Sequence, residues 1–329
     1  MTQTVISSLL PVVLLIAVGL LAGWRQWIRD EAAKDLSNLV FLILSPALMF
    51  RAMSTVHVED LHLGPVLAYF IAAWLVFGGT LWLRGFNTAG AVRGMANIYS
   101  NLVMIGLPLV DLAYGPPGMI TLLTLVSLHA LVLLTTATVA LELAVARDAE
   151  IAARAAQVAS GIEVIAPKGI EWRRLSLVLF RAVRSAVIHP VPIPIIAGLL
   201  FAQTGLTVPD AVDRPLQWLG QAFGPLALVM VGITLAHTRI GQNLRGALVL
   251  ASVKNLLLPA LVWVIGKAMG LSGLPLTIMV VAGAMPMGAN VFLFSQRYKV
   301  EEGLITAAVA VSTLLAMLTV SLVMIVLGK

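Results

Sequence analysis

The chain of 329 residues contains no cysteine, which removes disulfides, thiolate metal sites and thiol nucleophiles together. Charge is also scarce: Asp, Glu, Lys and Arg make up 11% and aromatic residues 6%, against 60% apolar residues. With a mean hydropathy of +1.01, a water-soluble fold is excluded, because it would expose far more apolar surface than water tolerates. Long polar intervals are few. Apolar stretches of about 20 residues, the length a helix needs to cross a bilayer, follow one another with short polar breaks. Period-two alternation dominates none of them, so helices rather than barrel strands must keep the backbone amides bonded inside lipid. The first apolar run starts at Thr4 with no basic segment before it and no small-residue cleavage pattern before Trp24, so it reads as a retained helix. No His-Glu-x-x-His, Gly-x-Ser-x-Gly or paired Asp-rich motif is present, and nothing resembles a selectivity-filter loop.

What remains is an all-α membrane protein with ten transmembrane helices, expected at 4–24, 36–56, 63–84, 91–113, 117–143, 176–203, 215–237, 244–269, 274–296 and 303–328. The pI near 10.0 does not indicate nucleic acid, because the basic residues form no stripe. They report topology. Arg25, Arg29, Lys34, Arg84, Arg93, Arg147, Arg154, Lys168, Arg173, Arg174, Arg239, Arg245, Arg297 and Lys299 fall on one side, and Arg214, Lys267 and Lys329 on the other. The bias predicts both termini non-cytoplasmic, and the chain is expected to be a multi-pass protein of the bacterial cytoplasmic (inner) membrane.

The longest polar interval divides the chain into a first five-helix repeat (1–145), a cytoplasmic linker (146–175) and a second five-helix repeat (176–329), with a short surface helix expected over Asp148 to Val158. The halves match under a shift of 179 positions: Ile16, Gly19, Leu20 and Leu21 recur as Ile195, Gly198, Leu199 and Leu200, while Pro11 and Pro46 fall on Pro190 and Pro225. An odd number of spans per half makes the repeat inverted. Chance matching of Leu-rich segments is the competing explanation, and a common shift in two separate segments weighs against it.

The fourth span carries Tyr99-Ser100-Asn101 followed by Gly106, Leu107 and Pro108; the ninth carries Met285-Pro286-Met287-Gly288-Ala289-Asn290. Proline inside a helix removes a donor and clashes with the carbonyl one turn back, so each span should break or kink there. Such breaks persist in lipid only where protein or a watery cavity covers them, and a matched pair points to a midplane site. Helix N-termini aimed at that site favour an anion, with Asn101 and Asn290 supplying amide donors beside Ser100, Gly106, Pro108, Pro286 and Gly288. Ordinary packing kinks are the competing explanation.

At these residues, and at Ser45-Pro46-Ala47-Leu48-Met49, Gly224-Pro225-Leu226-Ala227-Leu228 with Gly232, Lys254 through Pro259, and Pro286 to Tyr298, the sequence resembles the auxin efflux carrier family, which includes plant PIN-type carriers and bacterial transporters annotated for malonate. The resemblance covers nearly the whole chain. It implies two inverted five-helix repeats in a sodium/proton antiporter and bile acid symporter-like fold, with broken helices four and nine crossing. It further implies a scaffold of helices one, two, six and seven, a moving transport domain, a homodimer through that scaffold, and a small organic anion, malonate or another short carboxylate, as cargo. Plant members carry a proline at the position matching Asn290, which fixes the crossing in helix nine only to within about one turn. A membrane-embedded enzyme or a sensor using the same polar interior is the competing class of function.

Ionisable residues inside spans are functional candidates. Lys254, deep in helix eight, could neutralise a substrate carboxylate or pair with an internal acid. His129 in helix five could carry a coupling proton, or simply an interhelical hydrogen bond. Glu142 and Asp111 sit near opposite mouths, and Arg51, Arg181, Arg184 and His189 near span ends, where snorkelling and lipid contacts explain them more simply. No cofactor or metal is called for. A coupling ion, H+ or Na+, would need a titratable or oxygen-rich site.

Overall fold

The computed structural model describes residues 2–57, 59, 61–159, 180, 192–238, 241–288 and 290–327. Among them all regular structure is helical: α1 (Thr2–Trp24), α2 (Asp30–Leu39), α3 (Ser45–Met53), α4 (Leu63–Arg84), α5 (Thr88–Ile98), α6 (Leu107–Ala159), α7 (Pro192–Ala202), α8 (Asp210–His237), α9 (Leu244–Ser252), α10 (Leu258–Ala268), α11 (Gly273–Ala284), α12 (Asn290–Tyr298) and α13 (Glu302–Leu327). Six helical stretches, Glu31–Met53, Leu63–Arg84, Leu102–Ala152, Asp210–His237, Leu244–Ala268 and Glu302–Leu327, are long and apolar enough to cross a membrane, and Leu10–Trp24, Pro192–Ala202 and Gly273–Ala284 are shorter apolar helices. The chain is therefore a multi-pass helical membrane protein. Most of the predicted linker, with Arg181, Arg184, His189 and Pro190, lies outside the described residues.

The distribution of residues suits lipid. Leu14, Val18, Leu67, Leu75, Leu318 and Leu322 are exposed on outer faces, while Ser100, His129, Lys254, Asn255, Ser295 and Ser312 are buried, because only the protein interior offers them partners. Trp24, Trp27, Trp82 and Trp218 are exposed near helix ends, as interfacial anchors are.

Proline shapes three of the helices in the same way. The backbone N–H of Ser45, Leu107 and Leu258 each bonds a carbonyl five residues back, at Val40, Leu102 and Val253, and each of these residues is followed by a proline. The widened π turn accommodates the ring that an α turn would drive into its own carbonyl. Pro108 thus stands in the first turn of α6 and does not mark the break in the fourth span, which falls earlier, at Tyr99–Asn101. Gly115, at φ 58° and ψ −155°, interrupts α6 in a conformation that only glycine adopts readily; Pro116 and Pro117 then restart the helix with φ already set. From there the helix runs on to Ala159, so the alanine-rich segment after Asp148 continues helix five and is not a separate surface helix.

Small residues set the closest contacts. A Cβ added to Gly19 of α1 would lie 1.9 Å from the carbonyl oxygen of Val229 in α8, and one added to Gly198 of α7 would lie 2.5 Å from that of Phe50 in α3. Such approaches drive helix association in lipid. The two contacts are related by the same shift of 179 positions that relates the sequences.

Ion pairs and caps close the two ends. At the end rich in arginine, Asp148 accepts from Thr88 N at 2.9 Å and Thr88 Oγ1 at 2.6 Å, and Arg93 grips Glu301 through Nε at 3.0 Å and Nη2 at 2.7 Å. At the opposite end Arg51 holds Asp213 at 2.8 and 3.1 Å.

Candidate functional site

The fourth span stops being helical at Tyr99, whose backbone is extended (φ −83°, ψ 112°), and restarts as a π turn at Leu102. The ninth stops after Ala284, with Met285 extended (φ −56°, ψ 152°), and restarts at Asn290. The two breaks meet. Asn101 N donates to Pro286 O at 2.8 Å, Gly288 N donates to Tyr99 O at 2.9 Å, and Ser100 and Met287 form an antiparallel bridge. Backbone groups stranded by the breaks thus satisfy one another across the crossing, as a non-aqueous interior requires. A Cβ on Gly288 would fall 2.6 Å from the Tyr99 ring, so only glycine allows this approach.

Side chains complete the arrangement. Asn101 accepts from Met104 N at 3.2 Å through Oδ1, capping the helix that restarts there. Asn290 Nδ2 donates to Tyr99 OH at 3.1 Å. The Tyr99 ring lies against His129 with centroids 4.7 Å apart, and Tyr69 OH stands 2.8 Å from Ser100 Oγ and 3.3 Å from His129 Nε2. Behind the crossing, Lys254 Nζ donates to Gly283 O at 2.7 Å and Met285 O at 2.8 Å, and Asn255 Nδ2 to Ala284 O at 2.9 Å. These are the orphan carbonyls at the end of α11, where a cation is also favoured by the helix dipole. Ser312 joins the two layers, accepting from Met287 N at 2.9 Å and donating to Asn255 Oδ1 at 2.6 Å.

In front of the crossing is a cavity of about 200 Å³. Tyr99, Ser100, Asn101, His129, Gly288 and Asn290 line one wall; Ser37 and Phe41 of the second span, with Thr234 and Thr238 of α8, line the other. Among the described residues, no Asp, Glu, Lys or Arg lines this cavity. The restarts at Leu102 and Asn290 bring two helix N-termini to this wall, and the C-terminus of α11 is covered by Lys254. The local field of these two helix starts therefore favours negative charge.

A second cavity of about 730 Å³ at the opposite end is lined by Arg51, Asp213, Asp111, Gln217 and Gln221. Buried Phe223, Ala227, Leu228 and Met230 of α8 span the interval between the cavities, and Pro108 packs on Gly224 within it, 3.6 Å from where a Cβ would stand.

Of the residues singled out in the sequence, Ser100, Asn101, His129, Gly288 and Asn290 line the first cavity, and Pro286 lends its carbonyl to the crossing. Gly106 is buried within the π turn and Pro108 lies beyond it. Among the described residues Lys254 meets neither the cavity lining nor an acid: it is fully buried on carbonyls. Glu142 accepts from Tyr298 OH at 3.1 Å, away from the crossing, and Asp111 lines the second cavity. Tyr69 and Ser312 were not singled out in the sequence, and Tyr99 and Asn255 stood there only as parts of longer segments with no role; the available signal was a polar residue in the middle of an otherwise apolar span.

A family model described as membrane transport protein matches residues 4–324. The chain is 26% identical over 301 residues to the protein named "Putative malonate transporter" of Rhizobium meliloti, covering 88% of this chain and 86% of that one. It is 22% identical over 322 residues to "Uncharacterized transporter YfdV" of Escherichia coli strain K12, covering 94% and 93%. With "Auxin efflux carrier component 8" of Arabidopsis thaliana it shares 20% over 280 residues, covering 77% and 74%.

Proposed function

The chain belongs to the membrane transport protein family, and from that premise we propose that it carries a small carboxylate across the bacterial cytoplasmic membrane by alternating access. The observation that carries this reading is the antiparallel crossing of Ser100 and Met287, which turns two helix starts and the side chains of Asn101 and Asn290 toward one cavity. A cavity of about 200 Å³ is roomy enough for a short carboxylate. Malonate fits that size, and the name of the Rhizobium relative points the same way.

In this reading the chain makes ten spans in two inverted repeats, with both termini outside the cytoplasm. The paired contacts of Gly19 on Val229 and Gly198 on Phe50 support the repeat. Spans one, two, six and seven form a scaffold through which two copies dimerise, and the crossing moves against it like an elevator. The conformation described has its site toward the arginine-rich end, which the distribution of basic residues makes cytoplasmic, with α8 and Pro108 closing the other side. His129, the ionisable ring in the lining, is the residue through which a proton would couple; without it, the membrane potential drives the anion.

The test is uptake of labelled mono- and dicarboxylates by the purified protein in liposomes, with and without proton and sodium gradients and a potential. Asn101→Ala and Asn290→Ala should each lower uptake by about tenfold or more, the loss of one charge-assisted hydrogen bond. Asn101→Ser retains a capping oxygen, so it should fold normally and still transport poorly. Wild-type uptake by all three variants would remove the crossing from the mechanism.

A further inference from the structure

A third cavity, of about 450 Å³, lies at the arginine-rich end among the last turn of α4, α5, the start of α9 and α13, and it is separate from the crossing. Arg84, Arg93 and Arg245 line it together with Asn97. Arg93 is committed to Glu301, but among the described residues neither Arg84 nor Arg245 has an acidic partner. Arg245 moreover stands in the first turn of α9, where the helix dipole disfavours a cation, and Asn243 offers that helix no side-chain cap. Two exposed guanidinium groups with no acidic partner among the described residues, beside a helix start with no side-chain cap, offer an anion a place to bind.

An independent observation concerns Asn97, which is only 3% exposed. Its Nδ2 donates to Thr80 Oγ1 at 3.0 Å, and Thr80 Oγ1 itself donates to Val76 O at 2.7 Å. In this arrangement Thr80 gives its proton to Val76 O and accepts from Asn97 Nδ2, and Asn97 Oδ1 is buried with no donor among the described residues. The wall of the cavity can therefore receive a hydroxyl or similar donor as well as an anion.

The rim shows where that ligand comes from. Leu83 and Val249 line the cavity and are 73% and 48% exposed, and neighbouring Trp82 is 84% exposed; all three belong to lipid-facing helix surface near a helix end. We infer that this cavity binds the headgroup of an anionic glycerophospholipid, its phosphate on Arg84 and Arg245, a headgroup hydroxyl donating to Asn97 Oδ1, and its acyl chains along Leu83 and Val249. The site is independent of the carboxylate reading above.

The test titrates the full-length protein in neutral detergent with phosphatidylglycerol, phosphatidylmethanol, phosphatidylcholine and inorganic phosphate. Retained lipid is read by native mass spectrometry and stabilisation by thermal midpoint. Phosphatidylglycerol should be retained, and phosphatidylmethanol, equal in charge but without headgroup hydroxyls, retained several-fold less. Arg84→Gln with Arg245→Gln should weaken phosphatidylglycerol retention roughly 30-fold, about fivefold for each basic residue. Arg25→Gln with Arg29→Gln, which removes the same charge at the same end, should leave it unchanged. Equal retention by the two double variants, or phosphatidylcholine retained as well as phosphatidylglycerol, would overturn the site. Full stabilisation by inorganic phosphate alone would replace the lipid with a soluble anion, and equal retention of phosphatidylmethanol would overturn the Asn97 contact.

Discussion

Replacing Lys254 by methionine should weaken anion binding in proportion to the charge of the anion. Met285, whose carbonyl receives the ammonium at 2.8 Å, precedes cavity-lining Gly288 by three residues, which span at most about 10 Å. If Lys254 carries its proton, the charge lies within about 13 Å of the lining. At that distance and an effective dielectric of about 20, a unit charge contributes about 1.3 kcal/mol per ligand charge, close to tenfold in Kd. Lys254→Met should thus raise the Kd of a monoanionic half ester of malonate about tenfold and that of the dianion about a hundredfold, with a neutral diamide unaffected. The substitution also strands the carbonyls of Gly283 and Met285, at about 1–3 kcal/mol each, partly offset because a buried charge is no longer desolvated. That loss lowers the thermal midpoint of the unliganded protein but is indifferent to ligand charge. Ligand-induced stabilisation or calorimetry on the three ligands separates the effects. Equal losses for monoanion and dianion would refute the field argument and leave Lys254 a purely structural clasp.

Two further substitutions probe packing. Gly19→Ala should destabilise the protein by about 1–3 kcal/mol or more by forcing α1 off α8, since its Cβ would meet Val229 O at 1.9 Å; Gly78→Ala, with nothing within 4 Å of its Cβ, should be neutral or stabilising by up to about 1 kcal/mol. Thermal midpoints in detergent compare the two, and similar values would contradict the assigned helix contact. Gly288→Ala should displace the Tyr99 ring from His129 and Asn290, lowering both the midpoint and liposome uptake; unchanged uptake would show that the crossing tolerates a wider separation.

Much of this architecture is legible in the chain itself. Apolar runs, interrupted by proline and glycine, mark helices whose backbone must stay bonded in lipid, and Asn101 and Asn290 stand out because amides inside such runs need partners. Helix ends were less legible. The second span starts at Asp30 and not at 36, because hydropathy measures the thickness of hydrocarbon whereas Asp30–Leu39 extends the helix into polar surroundings. Pro108 misleads for a different reason: a proline at the start of a helix is compatible with it, so the break sits at Tyr99–Asn101, where sequence offers no breaker. The roles of Lys254, Asn255 and Ser312 depend on which carbonyls the crossing strands, and that follows from three-dimensional pairing alone. Tyr69 and Tyr99 were hidden because an aromatic ring in a membrane span reads as ordinary filling until its hydroxyl finds a neighbour.

The pairing of Asn101 with Pro286 also constrains how the protein is made. At about 5–20 residues per second, the ribosome delivers Pro286 roughly ten seconds or more after Asn101 has entered the bilayer. Throughout that interval the nascent fourth span has one amide hydrogen and one carbonyl facing outward with no strand to receive them. Insertion must shelter this half-finished junction, in water or against a borrowed neighbour, until the later half arrives to complete it.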